Sequence, residues 1–243
     1  MNPETKEIAE SFGCPYTLFE EGADSMQVEW AWQVALRSGK KKGFCPAILV
    51  PDRYADEWLA EGGRKEPERE RILAACGDNG REILMGTSEP NGRTGLDDVL
   101  EMLDLIGEET RGDALHHFSG FRGEYMDSRA TGADTLLLEL PVRHPWEVIA
   151  YLPMAGWHCS GSEKLITICK YWYERYGAFP AVFTYDTIEF YAPRRLNGVD
   201  SLEAAKEHCA FCQELLEDLE TGKLSELAAG LEHSDVWYFW WMQ

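Results

Sequence analysis

Apolar and polar positions in the first part of the chain recur with the period of a helix in several stretches. Residues 26–37 place apolar side chains at three- and four-residue spacing, which predicts an amphipathic helix. Gly43 then opens a short apolar run that ends at Pro51, as expected of a buried strand. Further helices are predicted over three stretches, residues 54–60, 66–76 and 96–106.

The second part of the chain alternates between strand and helix patterns. Residues 162–176 give the clearest helix, with Ser162 at the N-cap position and Gly177 as the stop signal. Two short apolar runs around a tight turn at Asp186 predict a hairpin directly after this helix. The other predicted elements are strands at 136–141 and 146–152, a long helix from Asp200 or Ser201 to residue 219, a shorter helix at 224–231 and a final strand at 236–241.

This order of elements predicts an α+β (or α/β) fold in which helices cover a mixed sheet. In the C-terminal half, the predicted order is strand, helix, hairpin, helix, helix, strand. The irregular residues 108–134, which contain several glycines, separate this half from the rest. We therefore predict an acidic N-terminal α/β region at residues 1–134 and a C-terminal α+β domain at residues 135–243.

Five consecutive aromatic residues, Trp237 to Trp241, stand close to the end of the sequence. On a strand, Trp237, Phe239 and Trp241 share one face, and Tyr238 and Trp240 share the other. Because both faces are aromatic, we expect a central or doubly covered strand that packs under the helices containing Leu165 and Phe211.

The charge of the chain bears on its partners. The 243 residues carry a formal net charge of −20, spread along the sequence. Nucleic-acid binding is disfavoured, because that affinity depends on Lys and Arg replacing condensed counterions. The compact basic run, Lys40 to Lys42, is interpreted as a solvated turn. An acidic excess of this size favours a basic protein partner.

Two further features bear on the compartment. No apolar run approaches the roughly 18 residues needed to span a bilayer, and residues 1–10 are too polar for a signal peptide. The seven cysteines are odd in number and scattered, which favours reduced thiols over a disulfide framework. We therefore expect a cytoplasmic protein with no membrane association.

Histidines and cysteines provide the candidate chemistry. Cys209 and Cys212 have Cys-x-x-Cys spacing with His208 adjacent, and His158-Cys159 precedes another helix, so a zinc or redox site is one interpretation. The alternative is core packing of small thiols, which the position of the Cys-x-x-Cys pair within a predicted helix favours. The sequence therefore assigns no catalytic residue, metal ligand or cofactor.

A candidate pocket near the final strand remains as a hypothesis. Asp186 and Glu189 flank the predicted hairpin turn, where turn formation by Asp186 is the favoured explanation. The full candidate set consists of Trp157, His158, Cys159, Asp186, Glu189, His208, Cys212 and Trp240.

Several short motifs resemble a bacterial family known as domain of unknown function 4253. They cover about the last hundred residues in the family's order and are Pro145-Trp146-Glu147, Gly156-Trp157, Lys170-Tyr171-Trp172-Tyr173-Glu174-Arg175-Tyr176-Gly177-Ala178, Asp186-Thr187-Ile188-Glu189, Phe211-Cys212 and Trp237-Tyr238-Phe239-Trp240-Trp241. The chain departs from the family where Trp157 is followed by His158-Cys159-Ser160, where Gln213-Glu214 follows Cys212, and where Met242-Gln243 end the sequence. The resemblance implies a bacterial protein and supplies no activity.

The leading functional hypothesis is a non-enzymatic interaction protein, such as one that confers immunity by neutralising a basic toxin. It rests on the acidic charge, the dense aromatics and the lack of a convincing catalytic set. The alternative is an enzyme or a small-ligand or metal-binding protein with a His/Cys/Trp pocket. A third interpretation is a structural domain whose aromatic rings only pack.

Overall fold

The fold is taken from a computed structural model, which describes residues 2–51, 54–86, 121, 131–153, 161–216, 219 and 223–241. In chain order the helices and strands are α1 (Pro3–Ser11), β1 (Tyr16–Phe19), α2 (Ser25–Lys42), β2 (Cys45–Leu49), α3 (Ala55–Glu61), α4 (Glu68–Ala75), α5 (Gly80–Leu84), β3 (Thr135–Leu140), a 3-10 helix (Pro145–Ala150), α6 (Ser162–Tyr176), β4 (Phe179–Phe183), β5 (Thr187–Tyr191), α7 (Gly198–Phe211), a second 3-10 helix (Gln213–Leu216), α8 (Leu224–His233) and β6 (Val236–Trp240).

The described strands form one six-stranded mixed sheet with the order β1-β3-β2-β4-β5-β6. β2 pairs parallel with β4, and the other neighbouring strands pair antiparallel. Helices pack on this sheet, which confirms the predicted α+β class. Strands from both predicted regions share the sheet, and β2 lies between β3 and β4.

The two faces of the sheet have separate cores. On one face, Trp172 of α6 is fully buried, with ring centroids 4.8 Å from Phe211 and 5.5 Å from both Trp237 and Phe239. On the other face, Trp32 of α2 is equally buried. It belongs to a second core cluster that includes Val28, Ile48 and Phe179. Aromatic side chains therefore dominate the core on both sides, which explains their abundance in the sequence.

Helix α6 follows the predicted pattern from residue 162 to residue 176. It ends where Gly177 adopts a left-handed conformation at φ 74°, which a residue without Cβ tolerates best. The predicted N-cap is wrong, since Gly161 holds that position and Ser162 is the first helical residue. The hydroxyl of Ser162 instead accepts a hydrogen bond from Arg64 at 2.7 Å.

Several predicted bounds and element types are corrected. The strand predicted at 146–152 is wrong, because this segment forms the 3-10 helix Pro145–Ala150, with proline at its first turn and Glu147 accepting from the backbone N–H of His144. The helix predicted to reach residue 219 begins at Gly198, after an Asn197 cap, and ends at Phe211, since Cys212 is extended at φ −147°.

The basic run Lys40 to Lys42 and the aromatic final strand also differ from their predicted positions in the fold. Lys40 to Lys42 form the last turn of α2, where they complement the negative end of the helix dipole, and are not a turn between elements. The final strand is not central, because β6 lies at the end of the strand order and, among the described strands, pairs with β5 alone. Its predicted alternation is confirmed, with Trp237, Phe239 and Trp241 in the α6 and α7 core.

The helix predicted at 96–106 lies outside the described residues. The same is true of most of the irregular stretch 108–134, of which Phe121 and residues 131–134 are described. Phe121 packs edge-on against Trp32 of α2, with ring centroids 4.9 Å apart.

Candidate functional site at the carboxyl edge of the sheet

Four strands begin or end together at one edge of the sheet. The parallel strands β2 and β4 end together there, at Leu49 and Phe183. β1 ends and β3 begins at the same edge, where Phe19 is paired with Thr135. We call this the carboxyl edge; sheets with parallel strands bind ligands most often beyond such ends.

Asp186, in the turn between β4 and β5, is held at this edge by three hydroxyl groups. Its Oδ1 accepts hydrogen bonds from Thr184 at 2.9 Å and Thr187 at 3.2 Å, and its Oδ2 accepts from the hydroxyl of Tyr54 at 2.7 Å. The predicted turn role of Asp186 therefore includes a tertiary contact to the segment after β2. The sequence did not identify Tyr54, because a tyrosine near a loop carries no signal for such a contact.

Arg64, in the loop after α3, ties two separated parts of the chain to this edge. Its Nη1 donates to the carbonyl oxygens of Ile149 at 2.8 Å and Leu152 at 2.9 Å, and its Nη2 donates to Ser162 Oγ. The side chain is 11 % exposed, and its Nε lies 3.3 Å from Glu68 Oε1. Burial lowers the pKa of this guanidinium, an effect that the neighbouring Glu68 opposes.

The Arg64 contacts bracket residues 154–160, which lie outside the described residues and carry the candidates Trp157, His158 and Cys159. Leu152 precedes that segment and Ser162 follows it, so one side chain fixes both flanks. Sequence reasoning missed Arg64, since a single arginine beside Gly62 and Gly63 does not indicate a partner about 90 residues away.

A polar cleft opens at the same edge, beside the ends of β1 and β2. Its volume is about 560 Å³, and its lining residues are Asn2, Thr5, Glu20, Glu21, Pro51, Ala55, Gly132, Ala133 and Asp134. Three of these carry carboxylates, and none carries a positive side chain. The cleft is therefore suited to a cationic group.

Asp134 is a carboxylate of this cleft that backbone groups hold in place. Burial tends to raise its pKa, but the backbone N–H groups of Glu21 and Asn2 donate to it at 2.9 and 3.1 Å and hold the pKa below the ordinary value. The group is therefore ionised at neutral pH and fixed in place. The sequence treated residues 131–134 as part of an irregular stretch and missed this role.

His208 and Cys212, both candidates from the sequence, lie in the core between α7 and β6. His208 is 2 % exposed, its Nδ1 donates to Ala204 O at 2.6 Å, and burial lowers its pKa to about 3. The thiol of Cys212 donates to Trp240 O at 3.1 Å, and burial raises its pKa to about 12. At neutral pH the imidazole is therefore neutral and the thiol protonated.

The candidates Glu189 and Trp240 lie on the opposite face of the sheet from His208. Glu189 pairs with Tyr238 on the face that α2 covers in part, opposite to the face that holds His208. Glu189 is fully buried, which is rare for a carboxylate and requires compensating contacts. Trp240 directs its half-buried side chain to the same face as Glu189, and only its backbone oxygen contacts Cys212. The described candidates are thus not gathered into one pocket.

Glu207 is a buried acid that the sequence did not single out. It is 1 % exposed and accepts hydrogen bonds from the hydroxyl of Tyr171 at 2.7 Å and from Trp172 Nε1 at 3.0 Å. Burial raises its pKa, and these donors oppose that shift. The carboxylate therefore joins α6 to α7 as part of the core.

The described ranges contain neither a membrane-spanning helix nor a cluster of metal-binding side chains. Within them, no helix combines the length and hydropathy needed to cross a membrane. Among the same residues, no group of three or more histidine, cysteine, aspartate or glutamate side chains has a geometry that would hold a metal ion.

Comparison with known proteins gives a family and no activity. Neither the curated proteins nor the solved structures contain a match to the chain. Residues 136–242 match the family model of a domain of unknown function, DUF4253, which is the family that the motifs of this part of the chain resemble.

Proposed function

We propose that the protein is a non-enzymatic binding protein whose acidic cleft receives a basic protein partner. The observation that carries the proposal is the cleft of about 560 Å³ at the carboxyl edge, with Glu20, Glu21 and Asp134 in its lining. A cleft of this size accommodates one or two long basic side chains of a partner. Neutralisation of a basic toxin by an immunity protein is the specific form that we favour.

Two properties of the cleft support binding over mere solvation. Asp134 is fixed by two backbone N–H groups, so it does not have to be ordered when the partner arrives. The net charge of −20 places the cleft in a negative field, which raises the rate of encounter with a basic protein. Affinity is therefore expected to fall as salt screens the charges.

A quantitative pulldown tests the proposal. The full chain is compared with a Glu20→Gln/Glu21→Gln variant as bait in lysate from the organism that produces it. The control is Glu70→Gln/Glu174→Gln, which removes the same charge from exposed positions on α4 and α6. We expect a basic protein to be retained by the wild type and the control at about 0.05 M salt, and to be released at about 0.5 M.

The cleft variant is expected to retain at least about tenfold less of that protein. Recovery of no protein partner at low salt, or equal retention by the cleft and control variants, would refute the proposal. A toxin gene beside the gene for this chain would favour the immunity form.

The second candidate function is an enzyme or small-ligand site that uses Trp157, His158 and Cys159. It is favoured by Arg64, whose hydrogen bonds to Leu152 O and Ser162 Oγ fix both flanks of the segment that carries these residues. The metal version is tested by elemental analysis of the purified full chain, in which about one zinc per chain is expected. Zinc far below that ratio, also after addition of zinc and removal of excess, counts against it.

A further inference from the structure

The outer face of α2 carries an apolar stripe that the sequence did not predict. Met26, Trp30 and Val34 follow each other at four-residue spacing and are 71 %, 66 % and 43 % exposed. The opposite side of the same helix buries Val28 and Trp32 against the sheet. A tryptophan exposed to this extent, with apolar neighbours along one helix face, is typical of an interaction surface.

The ends of this stripe carry opposite charges. Asp24 is the N-cap of α2 and lies six residues before Trp30; Glu20 and Glu21, which also line the acidic cleft, precede it, and all three are exposed. Arg37 and Lys40 to Lys42 lie seven to twelve residues after Trp30, and they are exposed as well. The face is therefore apolar in the middle, basic at its C-terminal end and preceded by acidic residues at its N-terminal end, with Trp30 at the midpoint of the apolar stripe.

Such a pattern is complementary to its own copy turned by a two-fold rotation. When two α2 helices lie antiparallel with the Trp30 residues opposite each other, Met26 of each chain faces Val34 of the other. The same rotation places the basic end of each helix beside the acidic end of the other. A parallel arrangement would instead bring like charges together.

The surface next to Val34 has room for the residue that this arrangement places there. Val34, Arg37, Ser38, Lys41 and Lys42 line an open groove of about 430 Å³. A methionine side chain is flexible and fills irregular gaps well, so Met26 of the second copy suits this groove.

We propose that α2 forms the interface of a homodimer, in which two copies of the chain pair antiparallel through Met26, Trp30 and Val34. The charge pattern selects the occupant, because the acidic end, the apolar centre and the basic end of one copy match the other in reverse order. One helix face of 18 residues buries less than the standard protein interface of about 1,600 Å². The dimer is therefore expected to be weak, with a Kd in the micromolar range.

Analytical ultracentrifugation of the full chain tests the proposal over a concentration range of about 1–300 μM. We expect the weight-average mass to rise from the 27.6 kDa of one chain towards twice that value. Trp30→Asp should raise the Kd at least about tenfold. Val199→Asp is the matched control, since Val199 on α7 is 77 % exposed and lies outside the stripe, and it should dimerise as the wild type does.

A charge exchange tests the antiparallel arrangement. Glu21→Lys and Lys41→Glu are each expected to raise the Kd, since each places like charges together, and the double variant should recover most of the wild-type affinity. A monomer across the whole range, or a dimer unaffected by Trp30→Asp, overturns the proposal. Mass is measured on the isolated chain, so the result is independent of whether the acidic cleft binds a partner.

Discussion

The side chain of His208 is almost completely buried and packs closely against aromatic rings. Its ring centroid lies 4.5 Å from that of Trp237 and 4.9 Å from that of Phe239. Its Nδ1–H is satisfied by Ala204 O, whereas Nε2 is buried and makes no hydrogen bond to the described residues. A second proton on this ring would place an unpaired charge among aromatic side chains, so the fold favours the neutral form.

We predict that His208 makes the protein sensitive to acid. Its folded pKa of about 3 is below the unfolded value of 6.5, so the unfolded chain binds the extra proton between these values. The stabilisation is complete above pH 6.5 and is lost as the pH falls towards 3, at up to about 1.4 kcal/mol per pH unit. Denaturant unfolding of wild type and His208→Gln at pH 7 and pH 4.5 measures this effect.

The loss of unfolding free energy between these two pH values should be smaller in His208→Gln by about 2–3 kcal/mol. Because the change with pH is compared, any constant effect of the substitution cancels. The same loss in both proteins, or an NMR titration of the His208 ring with a midpoint above pH 5, would contradict the prediction.

At the scale of elements, the sequence predicted those segments whose pattern is set locally. α6 shows helical periodicity followed by glycine, and the hairpin of β4 and β5 shows two apolar runs around Asp186, so both were found. The 3-10 helix Pro145–Ala150 was mistaken for a strand because six mostly apolar residues do not distinguish the two. The end of α7 at Phe211 was missed because Cys212 is extended where its thiol contacts β6, a long-range contact.

The candidate site was less predictable than the elements for the same reason. Asp186 was recognised as a turn residue, whereas its contact with Tyr54 spans 132 positions. The acidic cleft joins Glu20, Glu21 and Asp134, which come together only once β1 pairs with β3. Strand order, which sets these neighbours, is not encoded in local periodicity.

We predict that the hydrogen bonds of Arg64 stabilise the packing of the first 3-10 helix and the start of α6 at the carboxyl edge. Arg64→Leu leaves the carbonyl oxygens of Ile149 and Leu152 without their donor, and it should lower the free energy of unfolding by about 2–4 kcal/mol. Arg64→Lys keeps the charge but cannot reach three acceptors with a planar fork, so its loss should be intermediate. Denaturant unfolding gives these values.

Hydrogen exchange provides the local measurement for the same variants. Backbone amides at 150–152 and 162–166 should exchange faster in Arg64→Leu than in wild type, whereas amides of β5 should change little. A variant whose unfolding free energy is within about 0.5 kcal/mol of wild type would show that Arg64 does not stabilise this edge.

At the scale of the whole molecule, the sheet interleaves the two regions that the sequence separates at residue 134. β2 comes from the first region and pairs with β3 on one side and β4 on the other. Ala47, Ile48 and Leu49 of β2 are fully buried. The match to DUF4253 begins at residue 136 and so excludes this strand. The division into domains at residues 1–134 and 135–243 stays a prediction. Because β2 pairs with strands of the second region, the division can be tested by asking whether that region folds without β2.

We predict that residues 135–243 alone do not fold cooperatively. Without β2, the backbone groups of β3 and β4 that face it lose their partners, and the apolar residues that β2 covers on both faces become exposed. The isolated fragment should lack a sigmoidal denaturant transition, and addition of a separate 1–134 fragment should restore one, since it supplies β2 in trans. A cooperative transition of 135–243 alone would instead establish the C-terminal half as an independent domain. The full chain, measured in parallel, provides the reference transition, because it retains the pairing of β2 with both neighbours.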